Sequence, residues 1–473
     1  MKSRGPVWRV PAAIGAGGLA LWLALPSYLN YDTAWSLVWG GGIARGRLPR
    51  LDAVSAPTAH PLGTLLGALF APLGAHAGDA ASLLVLASLA AVVWLTFALA
   101  RAWFGGAAAW LAAGLALTSI PLLTAAARGY LDVPYLALVL AALLVETRRP
   151  RAGAPVLALL AVAGLWRPEA WAFSAAYWTW ATRGRPRADA ARLAALALAA
   201  PAAWLLVDLA LAGDPLHALS WTRDQAAALG RARGPGALRA ALPDKLATAA
   251  GLPILVAGTA GLALLLRRGP RGSGGLAAAG LGASLISVAV LTATGMPVVQ
   301  RYALLPLGLL IVLAAGAVAS LVAAPSWIGA SGRPPVRTAA ALLAIGVLAL
   351  AASVPGRIGA VVHLRSDLAR QATLRADLRA LVGRGAFPAG CGRVATSNHK
   401  LIPLLALWTG RPPGRFFSGR TPTSSEAYVE PASATARRTL LLATSDPPES
   451  ASGPSAGAVQ VARNHAWRVE AAC

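Results

Sequence analysis

Acidic residues are scarce in this chain: 18 Asp and Glu stand against 42 Lys and Arg in 473 residues. Charged residues of both signs make up only 13%, while hydrophobic ones reach 57%. A soluble globular surface needs more charge than that, so the composition excludes a soluble protein and describes a chain dissolved mostly in lipid. Cysteine is nearly absent, with two residues, and no Cys/His set has metal-ligand spacing. Nucleotide-binding glycine loops and Walker motifs are missing as well. There is no fixed-period internal repeat. The net charge of +24 would suggest nucleic acid in a soluble protein. Here the basic residues, almost all Arg, sit in short clusters between apolar runs, as orientation signals and anionic-lipid contacts do, so nucleic-acid binding is excluded.

What the chain does contain is apolar runs. Eleven have spanning or near-spanning length, at about 10–29, 80–100, 106–126, 133–146, 154–166, 168–181, 192–211, 246–266, 275–294, 303–323 and 338–354. The first follows Lys2, Arg4 and Arg9, is long and lacks a small-residue cleavage site, so it is expected to stay as a helix. The run from Pro61 to Gly74 is short and broken by Pro72. If it does not cross, the clusters at Arg101, Arg148-Arg149-Arg151, Arg183-Arg185-Arg187, Arg267-Arg268-Arg271 and Arg333-Arg337 share one side with the N-terminus. Positive residues favour the cytoplasm, so that side is expected to be cytoplasmic. Asp32, Asp132, Arg167, the Gly213-Asp214-Pro215-Leu216 loop, Arg301 and the C-terminal region then fall outside.

The expected domains are therefore a membrane domain over 1–355, with an external loop at 30–78 that carries interfacial helices, and an external α/β domain over 356–473. In the loop, Trp35, Val38, Trp39 and Ile43 recur at helical spacing and suit a helix lying along the membrane. Past residue 356, Leu364, Leu368, Leu378 and Leu381 predict an amphipathic helix. Residues 394–396, 439–444 and 466–469 predict strands. Asn398-His399-Lys400 reads as an exposed loop. Cys391 and Cys473 both lie in this region, where an external compartment would let them pair.

Two acids stand out, Asp32 in Tyr31-Asp32-Thr33-Ala34-Trp35 and Asp132 in Arg128-Gly129-Tyr130-Leu131-Asp132-Val133-Pro134, each beside a long apolar run. Charge near a membrane core is costly and usually marks a substrate path or a catalytic group. Each alone also fits a helix N-cap. Arg167-Pro168-Glu169 lies between two runs of about 14 residues, on the order of 20 Å as helix, so its tip is expected to sink below the outer surface. It is either an ion pair pinning the hairpin or the wall of a substrate cavity. Arg301-Tyr302 is either a phosphate clamp or an aromatic-belt anchor. His60 is either a substrate contact or a capping and packing residue.

The order of Asp32, Gly46 to Pro49, His60-Pro61-Leu62, Asp132 and Arg301-Tyr302-Ala303-Leu304-Leu305-Pro306 resembles the GT-C membrane glycosyltransferases, such as the protein O-mannosyltransferases and aminoarabinose transferases, over roughly the first 300 residues. Two departures stand out: Thr33 follows the first acid, and Asp132 has no acid two residues on, where metal-dependent oligosaccharyltransferases carry one. Two isolated carboxylates make a poor cage for Mg²⁺ or Mn²⁺, so no cofactor is expected and a divalent metal is not favoured. The resemblance implies transfer of a hexose or pentose, mannose among the candidates, from a polyprenyl-phosphate-linked donor. The acceptor would be a glycan, lipid or protein outside a bacterial cytoplasmic membrane. Asp32 and Asp132 would be catalytic. Arg301, Tyr302, Arg167, Glu169 and His60 would contact the donor phosphate or other substrate groups. A lipid-linked-sugar flippase is the alternative, which would show half-sequence symmetry and broken helices, and a non-catalytic assembly protein ranks third.

Overall fold

Asn30 starts the first described helix: its side-chain oxygen accepts from the Thr33 amide at 2.9 Å, satisfying one of the free N–H groups of the opening turn. In this computed structural model that helix, α1, is Tyr31–Ile43. The structure describes residues 25–51, 56–228, 230–269, 272–322, 351–419, 422–423, 425–440 and 453–473, with Gly17 and Leu348. A turn through Gly46, which holds φ at 70°, ends α1 and starts the loop towards the next helix.

The helices follow as α2 Pro61–Phe70, α3 Ala77–Phe104, α4 Gly106–Leu117, α5 Ile120–Ala127, α6 Asp132–Arg148, α7 Ala154–Trp166, α8 Glu169–Ala181, α9 Arg187–Ala212, α10 His217–Ala228, α11 Gly234–Arg268, α12 Ser273–Ala293 and α13 Leu304–Val322. Among the described residues, five helical stretches are long and apolar enough to cross a membrane: Pro61–Phe104, Arg187–Ala212, Gly234–Arg268, Ser273–Ala293 and Gln300–Val322. The pair α4 and α5, bent by 54°, makes a sixth if it is one span. The protein is a multi-pass membrane protein. The expected count of eleven is not established. The runs at 10–29 and 338–354 lie mostly outside the described residues, and α7 and α8, of 13 residues each, reach only about 20 Å at 1.5 Å per residue. Pro61–Phe104 is two helices joined at Gly74, whose φ of 54° and ψ of −118° break the ladder.

α13 is the centre of the helical core, with nearly every residue from Leu304 to Ala319 buried. It packs with α3, α6 and α11 through Val92, Leu99, Leu136, Leu140, Ile254 and Leu310. Close approach of backbones depends on glycine. A Cβ on Gly261 would lie 2.0 Å from the Leu313 carbonyl oxygen, and one on Gly67 would lie 2.2 Å from that of Ser36.

The C-terminal region opens with α14, Val354–Gly383, the predicted amphipathic helix, which buries Leu364, Leu368, Leu378 and Leu381. Five strands follow: β1 Arg393–Thr396, β2 Phe416–Phe417, β3 Glu426–Pro431, β4 Val459–Arg463 and β5 Trp467–Ala471. Their order in the sheet is β2-β1-β3-β5-β4, with β1 parallel to β2 and β3, and β5 antiparallel to β3 and β4. Trp467 fastens the sheet to α14, donating Nε1 to the Leu374 carbonyl at 2.7 Å. Cys391 and Cys473 form a disulfide, Cα atoms 5.3 Å apart, joining the approach to β1 to the residue after β5.

Three expectations need correction. Thr439 and Leu440 belong to a helix, α16, Ala434–Leu440, counted after α15, Ile402–Thr409. Ser433 starts α16 by accepting from the Ala436 amide at 3.1 Å, and this cap overrides the β propensity of the apolar run. Residues 441–444 lie outside the described residues. The tryptophan stripe of α1 is not a lipid-facing surface. Trp35 and Trp39 are buried in one core with Leu378, Ile402, Leu405 and Trp467, so the C-terminal domain covers them. The segment Asn398-His399-Lys400 is not an exposed loop. Asn398 and His399 are buried, and a short 3-10 turn, His399–Leu401, leads into α15, with the Asn398 side chain accepting from the Lys400 amide at 2.9 Å.

Candidate functional site

Asp32 and Asp132 each occupy the first turn of a helix, but neither is the cap. Asn30 caps α1, and Leu131 precedes α6 without a side-chain bond. Their carboxylates are thus left to cationic partners. Asp32 accepts from Arg301 Nη1, and Asp132 accepts from Arg167 Nη1. The same Arg167 donates Nε to Glu169 Oε1 at 2.9 Å, and its Nη2 reaches the same oxygen. Arg167 therefore bridges two carboxylates, all three side chains being about 92–94% shielded from solvent. Its guanidinium also lies 5.2 Å from the Tyr302 ring centre and 5.9 Å from that of Tyr135, within cation–π range.

These groups converge because of backbone contacts made far from one another in sequence. The Thr33 hydroxyl donates to the Gly129 carbonyl at 2.6 Å, tying the first turn of α1 to the segment before α6. Gly40 and Gly67 let α1 lie directly on α2, which His60 precedes. Gln300 donates Nε2 to the Lys245 carbonyl at 2.9 Å, setting the 3-10 turn Gln300–Ala303 that carries Arg301 and Tyr302.

A cavity of about 1230 Å³ opens on this constellation. Asp32, His60, Arg167, Glu169, Arg301 and Tyr302 line it, and Trp171, Trp204, Leu205, Val290 and Leu291 give it an apolar wall. Asp132 does not line it: it faces a small void of about 20 Å³ behind Arg167 and Tyr302. Of the two acids read from the sequence, only Asp32 meets the large cavity.

His60 sits edge-on to Trp204, ring centres 5.7 Å apart, and its buried Nδ1 has no hydrogen-bond partner among the described residues. Burial pushes its pKa down to about 4, with the charges of Arg167 and Arg301 adding to the effect and Asp32 opposing it. His60 is thus neutral at physiological pH. Burial works to raise the Asp32 pKa, but the charge and hydrogen bond of Arg301, with the charge of Arg167, outweigh it and hold the carboxyl below its ordinary value. Glu169 Oε2 is likewise buried without a partner. No three His, Cys, Asp or Glu side chains among the described residues group as a metal site.

Several cavity residues were given no site role by the sequence reading. Arg128, Arg231, Lys245, Arg375 and Lys400 join Arg167 and Arg301, so seven cations face three carboxylates, Asp32, Glu169 and Asp208. The C-terminal domain supplies Arg375, His399 and Lys400, and the His399 ring stands edge-on to Tyr31 at 5.4 Å. The domain is thus part of the cavity wall. Anionic ligands suit such a surface, since positively lined clefts with low-dielectric walls concentrate negative charge.

No protein-family model matches the chain, and no curated protein matches it. Solved structures do. ArnT from Cupriavidus metallidurans bound to undecaprenyl phosphate is 16% identical and superposes with a TM-score of 0.57 over 99% of each chain. Its apo state gives 15% identity and 0.57 over 98% of this chain and 97% of that one. The oligosaccharyltransferase AglB from Archaeoglobus fulgidus, in complex with an inhibitory peptide and a dolichol-phosphate, is 12% identical, with a TM-score of 0.46 over 85% of this chain and 63% of that one. At such identity a likeness speaks for architecture alone, and the near-complete overlap shows that this chain shares the fold of ArnT.

Proposed function

We propose that the protein transfers a sugar, hexose or pentose, from a polyprenyl-phosphate-linked donor to an acceptor on the outer face of a bacterial cytoplasmic membrane. The observation that carries this reading is the placement of Asp32 and Arg301 as a pair on the wall of a large cavity rich in cations and partly apolar. The solved ArnT structure with undecaprenyl phosphate, which shares this fold, supports a lipid phosphate as the ligand.

In the proposed reaction the acceptor oxygen attacks the anomeric carbon as the bond from that carbon to the phosphate oxygen breaks. Asp32 takes the acceptor proton as general base. Arg301 and Arg167 neutralise the phosphate that leaves. The ion pair with Arg301 keeps Asp32 ionised but weakens it as a base. A donor phosphate drawing Arg301 away restores basicity at the moment it is needed. Asp132 and Glu169 hold Arg167 in place, so Asp132 is a positioning residue, while His60 offers its free Nδ1 to the substrate. None of these steps uses a metal. Tyr302 holds the Arg167 guanidinium against its ring.

The flippase alternative has one observation in its favour: α11 is interrupted at Gly251, with φ of 72°, and contains Pro243 and Pro253. Broken helices are a feature of transporters. Purified protein in nanodiscs, given a polyprenyl-phosphate-linked sugar and candidate acceptors, and the same protein in sealed vesicles carrying that lipid, separate the two. Appearance of glycosylated acceptor and free polyprenyl phosphate supports the transferase. Movement of lipid-linked sugar across vesicle leaflets with no chemistry at the anomeric carbon contradicts it.

A further inference from the structure

Two arginines on the cavity wall have no role in the reaction described above. Arg128 follows α5, and Arg375 projects from α14 of the C-terminal domain, so they come from opposite ends of the chain. Each guanidinium rests on a tyrosine: Arg128 lies 5.2 Å from the Tyr130 ring centre, and Arg375 lies 3.9 Å from that of Tyr28. The Tyr28 amide donates to the Ala127 carbonyl at 2.9 Å, which brings the two supports together.

Among the described residues no carboxylate answers either charge. Among the described residues neither arginine forms a salt bridge, whereas Arg167 and Arg301 both do. The ionisable side chains that reach them are Tyr28, Tyr130 and, for Arg375, Arg128 itself. The Nε atoms of both are buried without a hydrogen-bond partner among the described residues. Arg375 spends its Nη1 on the Gln371 carbonyl and side-chain oxygens at 3.2 and 2.5 Å. Burial first, and then the neighbouring charge of Arg128, push the Arg375 pKa down to about 10. Paired like charges in a shielded place are unfavourable without an anion between them.

We propose that Arg128 and Arg375 form a second anion subsite in the cavity, apart from the one at Arg301 and Arg167, and that it holds a phosphate or carboxylate group carried by the acceptor. This rests on the transferase reading, since it assigns the subsite to the second substrate. Two features favour the acceptor over the donor lipid. The guanidiniums stand apart from Arg301 and Arg167, the pair that takes the leaving phosphate, and neither of those charges is among the groups that act on them. The subsite also adjoins the Asp32 segment, because Gly129, next to Arg128, accepts a hydrogen bond from the Thr33 hydroxyl at 2.6 Å. The acceptor class would thus be an anionic glycan or glycolipid.

The probes are inorganic phosphate and undecaprenyl phosphate, with thermal unfolding of the full-length protein in nanodiscs of neutral lipid as readout. Undecaprenyl phosphate is added first to saturation, and inorganic phosphate is then titrated. Wild type is expected to gain a further, saturable rise in Tm. Arg128→Gln/Arg375→Gln is expected to need roughly tenfold more phosphate or more while binding undecaprenyl phosphate as wild type does. Arg128→Lys/Arg375→Lys keeps the charges and guards against a folding defect; it is expected to retain most of the response. No further rise in lipid-saturated wild type, or an equal rise in the Gln variant, overturns the subsite. A parallel loss of undecaprenyl phosphate binding assigns the pair to the donor and overturns it too. Failure of wild type to bind undecaprenyl phosphate at all strikes the transferase reading instead, and the titration of inorganic phosphate on the lipid-free protein then decides the subsite alone.

Discussion

Replacing Arg167 by Met should unfold the site far more readily than neutralising either of its acids. Arg167 holds Asp132 by Nη1 and Glu169 by Nε and Nη2, and all three side chains are almost fully buried. Arg167→Met leaves two buried carboxylates without the cation they share, and breaking a buried pair by removing one partner costs about 3–5 kcal/mol. Asp132→Asn keeps an oxygen towards Nη1, and Glu169 still balances the guanidinium, so the loss is one charge-assisted hydrogen bond, about 1.5–3 kcal/mol. The triple change Arg167→Met/Asp132→Asn/Glu169→Gln removes every charge and should recover most of the stability lost in Arg167→Met. Equilibrium unfolding in mixed detergent micelles, followed by tryptophan fluorescence, gives the order. An Asp132→Asn protein as unstable as Arg167→Met, or a triple variant no better than Arg167→Met, would refute the bridging role of Arg167.

Three further outcomes follow from the geometry. Gly67→Ala places a Cβ 2.2 Å from the Ser36 carbonyl oxygen, so α1 must shift; the overpacking should cost about 1–3 kcal/mol, and displacement of Asp32 should cut transfer at least roughly tenfold, while Gly106→Ala, with nothing within 4 Å, should be neutral in unfolding and activity assays. The unfolded chain takes up a His60 proton near pH 6.5 and the folded chain only near 4; stability should therefore hold above pH 6.5 and fall by up to about 3 kcal/mol towards pH 4, and His60→Asn should remove that slope, so an identical slope in the variant sinks the assignment. In a Cys391→Ser/Cys473→Ser background, Ser366→Cys should react with an impermeant thiol reagent on intact cells and Gly184→Cys should not; the reverse pattern contradicts the expected orientation.

The parts of the site that could be read from the sequence are those that are rare in an apolar chain. Asp32, Asp132, Arg167 and Arg301 stand out because charge beside long apolar runs is costly and needs a reason. Their pairing was not visible. Arg167 and Asp132 meet across 35 residues, and Arg301 and Asp32 across 269, and no local pattern records such contacts. Periodicity found the tryptophan face of α1 and the leucine face of α14, yet it says only that a face is apolar, not whether lipid or protein covers it. Protein does, at Trp35 and Trp39. The C-terminal contribution at Arg375, His399 and Lys400 was invisible for the same reason. Arg128 stood in the same short motif as Asp132, but one Arg at a helix end has many ordinary explanations. At 439–444, β propensity pointed to a strand; Thr439 and Leu440 instead end a helix that Ser433 caps, and 441–444 lie outside the described residues.

In the proposed function Asp32 is the catalytic carboxylate of a sugar transfer. The most direct measurement compares wild type with Asp32→Asn for transfer from a polyprenyl-phosphate-linked sugar in nanodiscs, alongside undecaprenyl phosphate binding by each. Asn30 caps α1 independently of Asp32, so the variant should fold and bind lipid phosphate within a few-fold of wild type. Turnover should fall by roughly 10²-fold or more, the range for loss of a general base. Transfer at near wild-type rate by a folded, lipid-binding Asp32→Asn protein would contradict the account.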